Sequence, residues 1–274
     1  MTLVTVLLLA LAARGTLQMD AGDVVTDPNT LGFQAAIQPL ADGVSLGVCS
    51  GVVIKGSALN GTTYVDKYFI LTAASCVVPA TSCNVYLRPE NIRVDSVPDL
   101  AGVTMADMVI HPDFLTSALQ SSDLAIITAD GITTAFNANN KLTAATLPSI
   151  ENAEDSYVAS GVSLTAWGYG PPREPTGERA PALLQVDTYV WPNLFCSVFH
   201  PDKHISKKHV CSGGLIHGAP CSGDAGAPLI RKNRVVGLAT MVPADGCGRK
   251  PGVFTRLGSY LAWIIKTTNY DPYQ

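Results

Sequence analysis

The sequence predicts an all-β chain, and two observations carry that prediction. Short runs rich in β-branched residues recur with Gly, Pro, Asn and Asp between them, the pattern of a sandwich or barrel. Only one segment carries a convincing helical period, and it lies at the C-terminus.

In chain order, strands are expected at residues 51–54 (around Val52 and Ile54), 68–71 (Phe69, Leu71) and 124–127 (Leu124, Ile126). Three more follow at 162–166 (Val162, Leu164), 183–186 (Leu183, Val186) and 235–240 (Val235, Leu238). Between the third and the fourth, residues 137–160 are polar, with Asn, Thr, Ser and acidic side chains, and form the best inter-domain linker. Near the C-terminus, Leu261, Ile264 and Ile265 share one helical face with Trp263 beside them, as a helix docking on a sheet requires.

Composition bounds the rest. The chain has 274 residues, 47% hydrophobic and 15% charged, well below the ~25% charged of an average globular chain, so intrinsic disorder is excluded. A formal net charge of -4 argues against nucleic acid or an anionic membrane as the main partner. Residues 3–13 (LVTVLLLALAA) are too short to span a bilayer but fit the core of a secretion signal, here assigned to 1–15. Export implies an oxidising compartment in which cysteines pair, yet there are seven of them, an odd number. Asn60 opens the only Asn-X-Thr/Ser sequon, an expected glycosylation site.

Five strings then fall in a telling order: LTAASC at 71–76, SDLAII at 122–127, AWG at 166–168, GDAGAP at 223–228 and PGVFT at 251–255. They resemble the LTAAHC, (N/S)D(I/L)ALI, GWG, GDSGGP and PGVYT motifs of trypsin- and chymotrypsin-like serine proteases. The resemblance runs from about Val24 to the C-terminal helix. It implies two antiparallel six-stranded β-barrels with a C-terminal α-helix, divided as a short extension at 16–23, a first barrel at 24–145 and a second at 146–274.

The same strings put Ser75 where the family has its histidine base and Ala225 where it has its nucleophile, leaving only Asp123 of the triad. A serine hydroxyl is no base near neutral pH, and a methyl group attacks nothing. The oxyanion cradle survives by resemblance in the backbone N–H groups of Gly223 and Ala225. Substitute bases are hard to find: His217 and His111 are read as surface or locally hydrogen-bonded. His200, His204 and His209 lack a completing ligand, so they are read as solvated loop with no metal. No cofactor is implied.

By resemblance, Ala219 is the floor of the specificity pocket, and Thr240, Met241 and Val242 form one wall. Val242 narrows the entrance, or only tolerates a disused pocket. Gly252 keeps the opposite wall open. Asp224 holds the acid position of the activation ion pair and Val24 that of the new terminus, but Asp23 precedes Val24 where a basic residue is usual. The resemblance also pairs Cys49 with Cys76, Cys196 with Cys211, and Cys221 with Cys247. Cys83 is left over in the 79–84 loop, for an intermolecular bond (a disulfide-linked dimer) or as a buried unpaired thiol.

The function expected is that of a secreted, non-catalytic homologue that binds proteins, as cofactor, decoy or regulator of extracellular proteolysis or defence. The rivals are a secreted endopeptidase with an unusual site, and a bulk secreted protein without a specific partner. Two surface features are candidates for contact. One is a lengthened turn at 55–67; the other is the basic 200–209 loop, where Lys203, Lys207 and Lys208 are a candidate polyanion contact.

Overall fold

The computed structural model describes residues 23–25, 32–87, 98–116, 122–151, 155–169, 183–214, 218–221, 223–241 and 250–273. All six expected strands form. In chain order the first are β1 (Asp23–Val24), β2 (Gln34–Ala41), β3 (Val44–Ser45), β4 (Cys49–Asn60), β5 (Thr63–Thr72), β6 (Ser82–Leu87), β7 (Leu100–Thr104), β8 (Met108–Ile110) and β9 (Ala125–Ile127). They are followed by β10 (Ser163–Gly168), β11 (Leu184–Trp191), β12 (His209–Ser212), β13 (Pro228–Arg231), β14 (Arg234–Thr240) and β15 (Gly252–Arg256).

The first sheet runs β7-β6-β2-β4-β5-β9-β8, with β3 added to β2. Its two end strands are joined by the single turn Met105–Asp107. Taken as one bent strand, β7 and β8 bring the path back on itself as a six-stranded barrel. In the second sheet, β12 pairs with both β15 and β11, which closes β11-β10-β13-β14-β15-β12 into six strands. The two barrel-like sheets and a short C-terminal helix, Leu261–Thr268, make the chymotrypsin fold.

Alternation along each strand fills the barrels. Ile37, Val53, Ile70, Val85 and Ile127 point into the first, and Leu164, Val210, Leu229, Val236 and Phe254 into the second. A third cluster lies between them: Val52, Ile54 and Leu124 of the first sheet meet Val235 and Leu238 of the second, with Leu261 and Ile264 of the C-terminal helix. That joint matters because both of its sides carry site residues.

Three differences from the sequence expectations have plain causes. Residues 55–67 are not a lengthened turn. β4 and β5 pair without a break from Gly51↔Thr72 to Asn60↔Thr63. Only Gly61 and Thr62 make the loop, and Gly61 has φ +63°, as a type II′ hairpin needs at its first central position. Second, β1 pairs with β11, so the N-terminal strand, expected with the first barrel, joins the second sheet. Third, a helix forms at Asp130–Ala138, where Gly and two Thr weaken the propensity. Tertiary contacts hold it, with Ile132 fully buried and Phe136 stacked on Tyr68.

Candidate functional site

Asp123 precedes β9 at the joint between the sheets and is 4% exposed. Three donors meet its carboxylate. The Ser75 backbone N–H donates to Oδ1 at 2.7 Å and the Ser75 hydroxyl to Oδ2 at 2.8 Å. The Thr240 hydroxyl, at the end of β14, also donates to Oδ2, at 2.5 Å. From β15 the Thr255 hydroxyl donates to the Asp123 backbone carbonyl at 3.0 Å. Burial raises the Asp123 pKa above the usual carboxylate value, and the Thr240 and Ser75 hydrogen bonds offset only part of that.

Ser75 sits at the exposed start of the short helix Ala74–Val77, next to Cys76. The Cys76 sulfur lies 3.5 Å from the Ala225 carbonyl, which itself accepts the Ser50 N–H at 2.8 Å. The structure therefore brings Ser75, Asp123 and Ala225 into one neighbourhood. The half-buried Ala225 methyl packs on the first-barrel core. Gly223 (φ +98°) and Gly226 (φ +83°) let this turn curl. A Cβ at Gly226 would collide with the Ser50 carbonyl. The arrangement pairs a buried carboxylate with hydroxyls and sets the Ala225 methyl nearby.

Thr240 entered the sequence prediction only as pocket wall; its second role, capping Asp123, was missed. The available signal was the hydroxyl it shares with the family's serine at that position. Ala219 is buried. At Gly252 a Cβ would stand 2.6 Å from Pro220 Cδ and 3.1 Å from the Ser212 carbonyl, so this backbone position accepts only glycine without a shift. Met241 has φ +50°, a left-handed conformation unusual for methionine, and packs on Cys196, Cys211 and Val253. Val242, His217 and Cys247 lie outside the described residues.

Val24 lies in β1, paired with Leu184 of β11. Asp224 is fully buried, and its carboxylate accepts the Cys221 N–H at 2.9 Å. Disulfides join Cys49 to Cys76 and Cys196 to Cys211, and Cys221 is also disulfide-bonded.

Two expectations need correction. Cys83 is a residue of β6, not of a loop, and none of its surface is exposed. Burial pushes its thiol up to about 12, and of the two readings offered for it the buried unpaired thiol is the one this position matches. The histidines of the 200–209 segment are not all solvated. His200 is buried and donates from Nε2 to the Pro251 carbonyl at 2.8 Å, and His209 is buried on β12. His111 is buried too, its Nδ1 accepting the Asp113 N–H and its ring edge-on to Tyr260.

Comparison with known proteins fits this geometry. The family profile named Trypsin matches residues 44–264. Brachyurin of Leptuca pugilator is 27% identical over 213 residues, 77% of this chain and 88% of that protein. Glucanase inhibitor protein 2 of Phytophthora sojae is 27% identical over 228 residues, 77% of this chain and 73% of that protein. Among solved structures, HL collagenase superposes with TM-score 0.68 at 24% identity, covering 91% of this chain and 98% of that one. The scabies mite inactivated protease paralogue S-I1 superposes with TM-score 0.64 at 23% identity, covering 89% and 98%. At these identities the structural likeness speaks for the fold alone. The profile match spans most of the chain, and the protein belongs to the trypsin family.

Proposed function

We propose that this chain is a secreted, non-catalytic member of its family that works by binding proteins, as cofactor, decoy or regulator of extracellular proteolysis or defence. One observation carries the reading: the Asp123 carboxylate is capped by the Ser75 and Thr240 hydroxyls, with a methyl group at 225. Loss of base or nucleophile in a comparable triad costs on the order of a millionfold in turnover, and loss of both costs little more. Two neighbours support the reading by name, one called an inhibitor protein and one an inactivated paralogue.

The apolar 3–13 segment and the disulfides fit export to an oxidising medium. On that route Asn60, exposed at the β4–β5 turn, is a glycan acceptor. A fluorophosphonate probe tests the central point. No labelling of the purified secreted protein is expected, with saturable capture of a partner from its native extracellular fluid. Labelling would restore the endopeptidase alternative, and capture without saturation would favour a bulk protein.

A further inference from the structure

A crevice of about 260 Å³ opens on the second barrel, built from residues that take no part in the Asp123 site. Val158, Val190 and Trp191 give it apolar walls, and Lys207, His209 and Arg256 are its titratable lining residues. No carboxylate is among its described lining residues. Of the three lysines in this segment, Lys203 pairs with Asp202 and Lys208 with Asp113, each at 3.4 Å. Lys207 is exposed and has no ion pair among the described residues.

Two other polar side chains of the wall are already engaged. The Trp191 indole N–H goes to the Gly213 carbonyl at 2.9 Å, and the Asn193 amide to the Ser206 and His209 carbonyls. His209 is the exception. It is 3% exposed, and its Nδ1 accepts the Ser206 N–H at 3.1 Å, which places the proton of the neutral ring on Nε2. That Nε2 is buried with no hydrogen-bond partner. A buried donor left without an acceptor is uncommon in a folded protein.

Apolar surface adjoins the crevice. Leu194 and Val198 stand 80% and 70% exposed, four residues apart on the helix Asn193–Phe199, whose first residue is part of the wall. We propose that the crevice and this helix are a docking site for an acidic segment of a protein partner, an apolar side chain entering beside Trp191 and an adjacent carboxylate meeting Lys207. The site goes beyond the proposed function and does not depend on whether the Asp123 site is silent.

The test uses the full secreted chain and two fluorescein-labelled peptides, Ac-Glu-Phe-Glu-NH2 and Ac-Gln-Phe-Gln-NH2, read by anisotropy at low ionic strength. The acidic peptide is expected to bind about tenfold more tightly than its amide counterpart and to weaken as salt rises. Lys207→Glu should remove that preference. Leu194→Ser should weaken both peptides by about fivefold while keeping the preference. Equal affinity of the two peptides, no binding, or an unchanged preference in Lys207→Glu would overturn the proposal. Fluorophosphonate labelling with intact peptide binding would instead sink the non-catalytic reading and leave this site standing.

Discussion

Asp123 and His209 are both buried titratable side chains, and their surroundings treat them in opposite ways. Asp123 receives three hydrogen bonds on its carboxylate from the chain itself. His209 has its Nδ1 engaged but its Nε2 unmet. The contrast teaches where chemistry has closed and where it stays open. A carboxylate that resembles the third member of a triad is satisfied by Ser75 and Thr240, so it needs no imidazole to remain stably buried. At the crevice, a donor still waits for an acceptor.

The largest expected effect comes from breaking the satisfied side. Asp123→Ala would leave the buried Thr240 hydroxyl and the Ser75 N–H without their acceptor and open a cavity at the joint between the sheets. A loss of about 3–4 kcal/mol is expected in urea unfolding. A loss below about 1 kcal/mol would mean that water replaces the carboxylate without penalty, and that the closed description of this region is wrong.

Acidification separates the two groups by sign. Burial lowers the His209 pKa from its ordinary 6.5 to about 4. Below 6.5 the unfolded chain takes up this proton and the folded chain does not, so stability present above 6.5 is lost as pH falls toward 4. The full loss is about 3 kcal/mol. Asp123 acts the other way. Its folded pKa is raised above 3.8, so its contribution is fully present below 3.8 and is lost as pH rises through the raised value. Unfolding midpoints should therefore fall on acidification more steeply in the native chain than in His209→Gln, where the Asp123 contribution of opposite sign remains. An equal fall in both would remove His209 as the cause.

Ser75→Ala is a gentler probe. It deletes the hydroxyl bond to Oδ2 and keeps the backbone N–H bond to Oδ1 at an exposed position. About 1 kcal/mol is expected. A loss near that of Asp123→Ala would show that the hydroxyl, not the carboxylate, anchors the network.

How much of this could be read beforehand divides along physical lines. The strands were legible because Val52, Ile70, Leu124 and Val235 belong to β-branched and aliphatic runs whose burial needs no knowledge of the partner strand. The positions of Ser75, Asp123 and Ala225 were legible because short motifs fix them locally. What escaped depends on contacts distant in sequence. Thr240 reaches Asp123 across 117 residues. His209 read as solvated because its neighbours Lys207 and Lys208 are charged, yet β12 carries it between β11 and β15. The hairpin at 55–67 hid because Lys55, Lys67 and Asp66 look like loop residues. In the fold, Lys55 pairs with Asp66 across β4 and β5 at 2.8 Å, and Lys67 with Asp130 at 2.7 Å.

The smallest expected effect is also the sharpest test of the closed side. Ala225→Ser adds one hydroxyl at a half-buried turn position, so stability should change by less than about 0.5 kcal/mol. Fluorophosphonate labelling should remain absent all the same. The restored hydroxyl would still need a base to take its proton, and the nearest group by resemblance, Ser75, is a hydroxyl that donates to Asp123. Adding Ser75→His supplies the base but removes the Ser75 hydroxyl from Oδ2, where an imidazole N–H would have to replace it. Labelling by the double variant would show that the rest of the turn is still competent. Labelling by Ala225→Ser alone would show that some other group in this neighbourhood can take the proton, and that the carboxylate region is less closed than its hydrogen bonds imply.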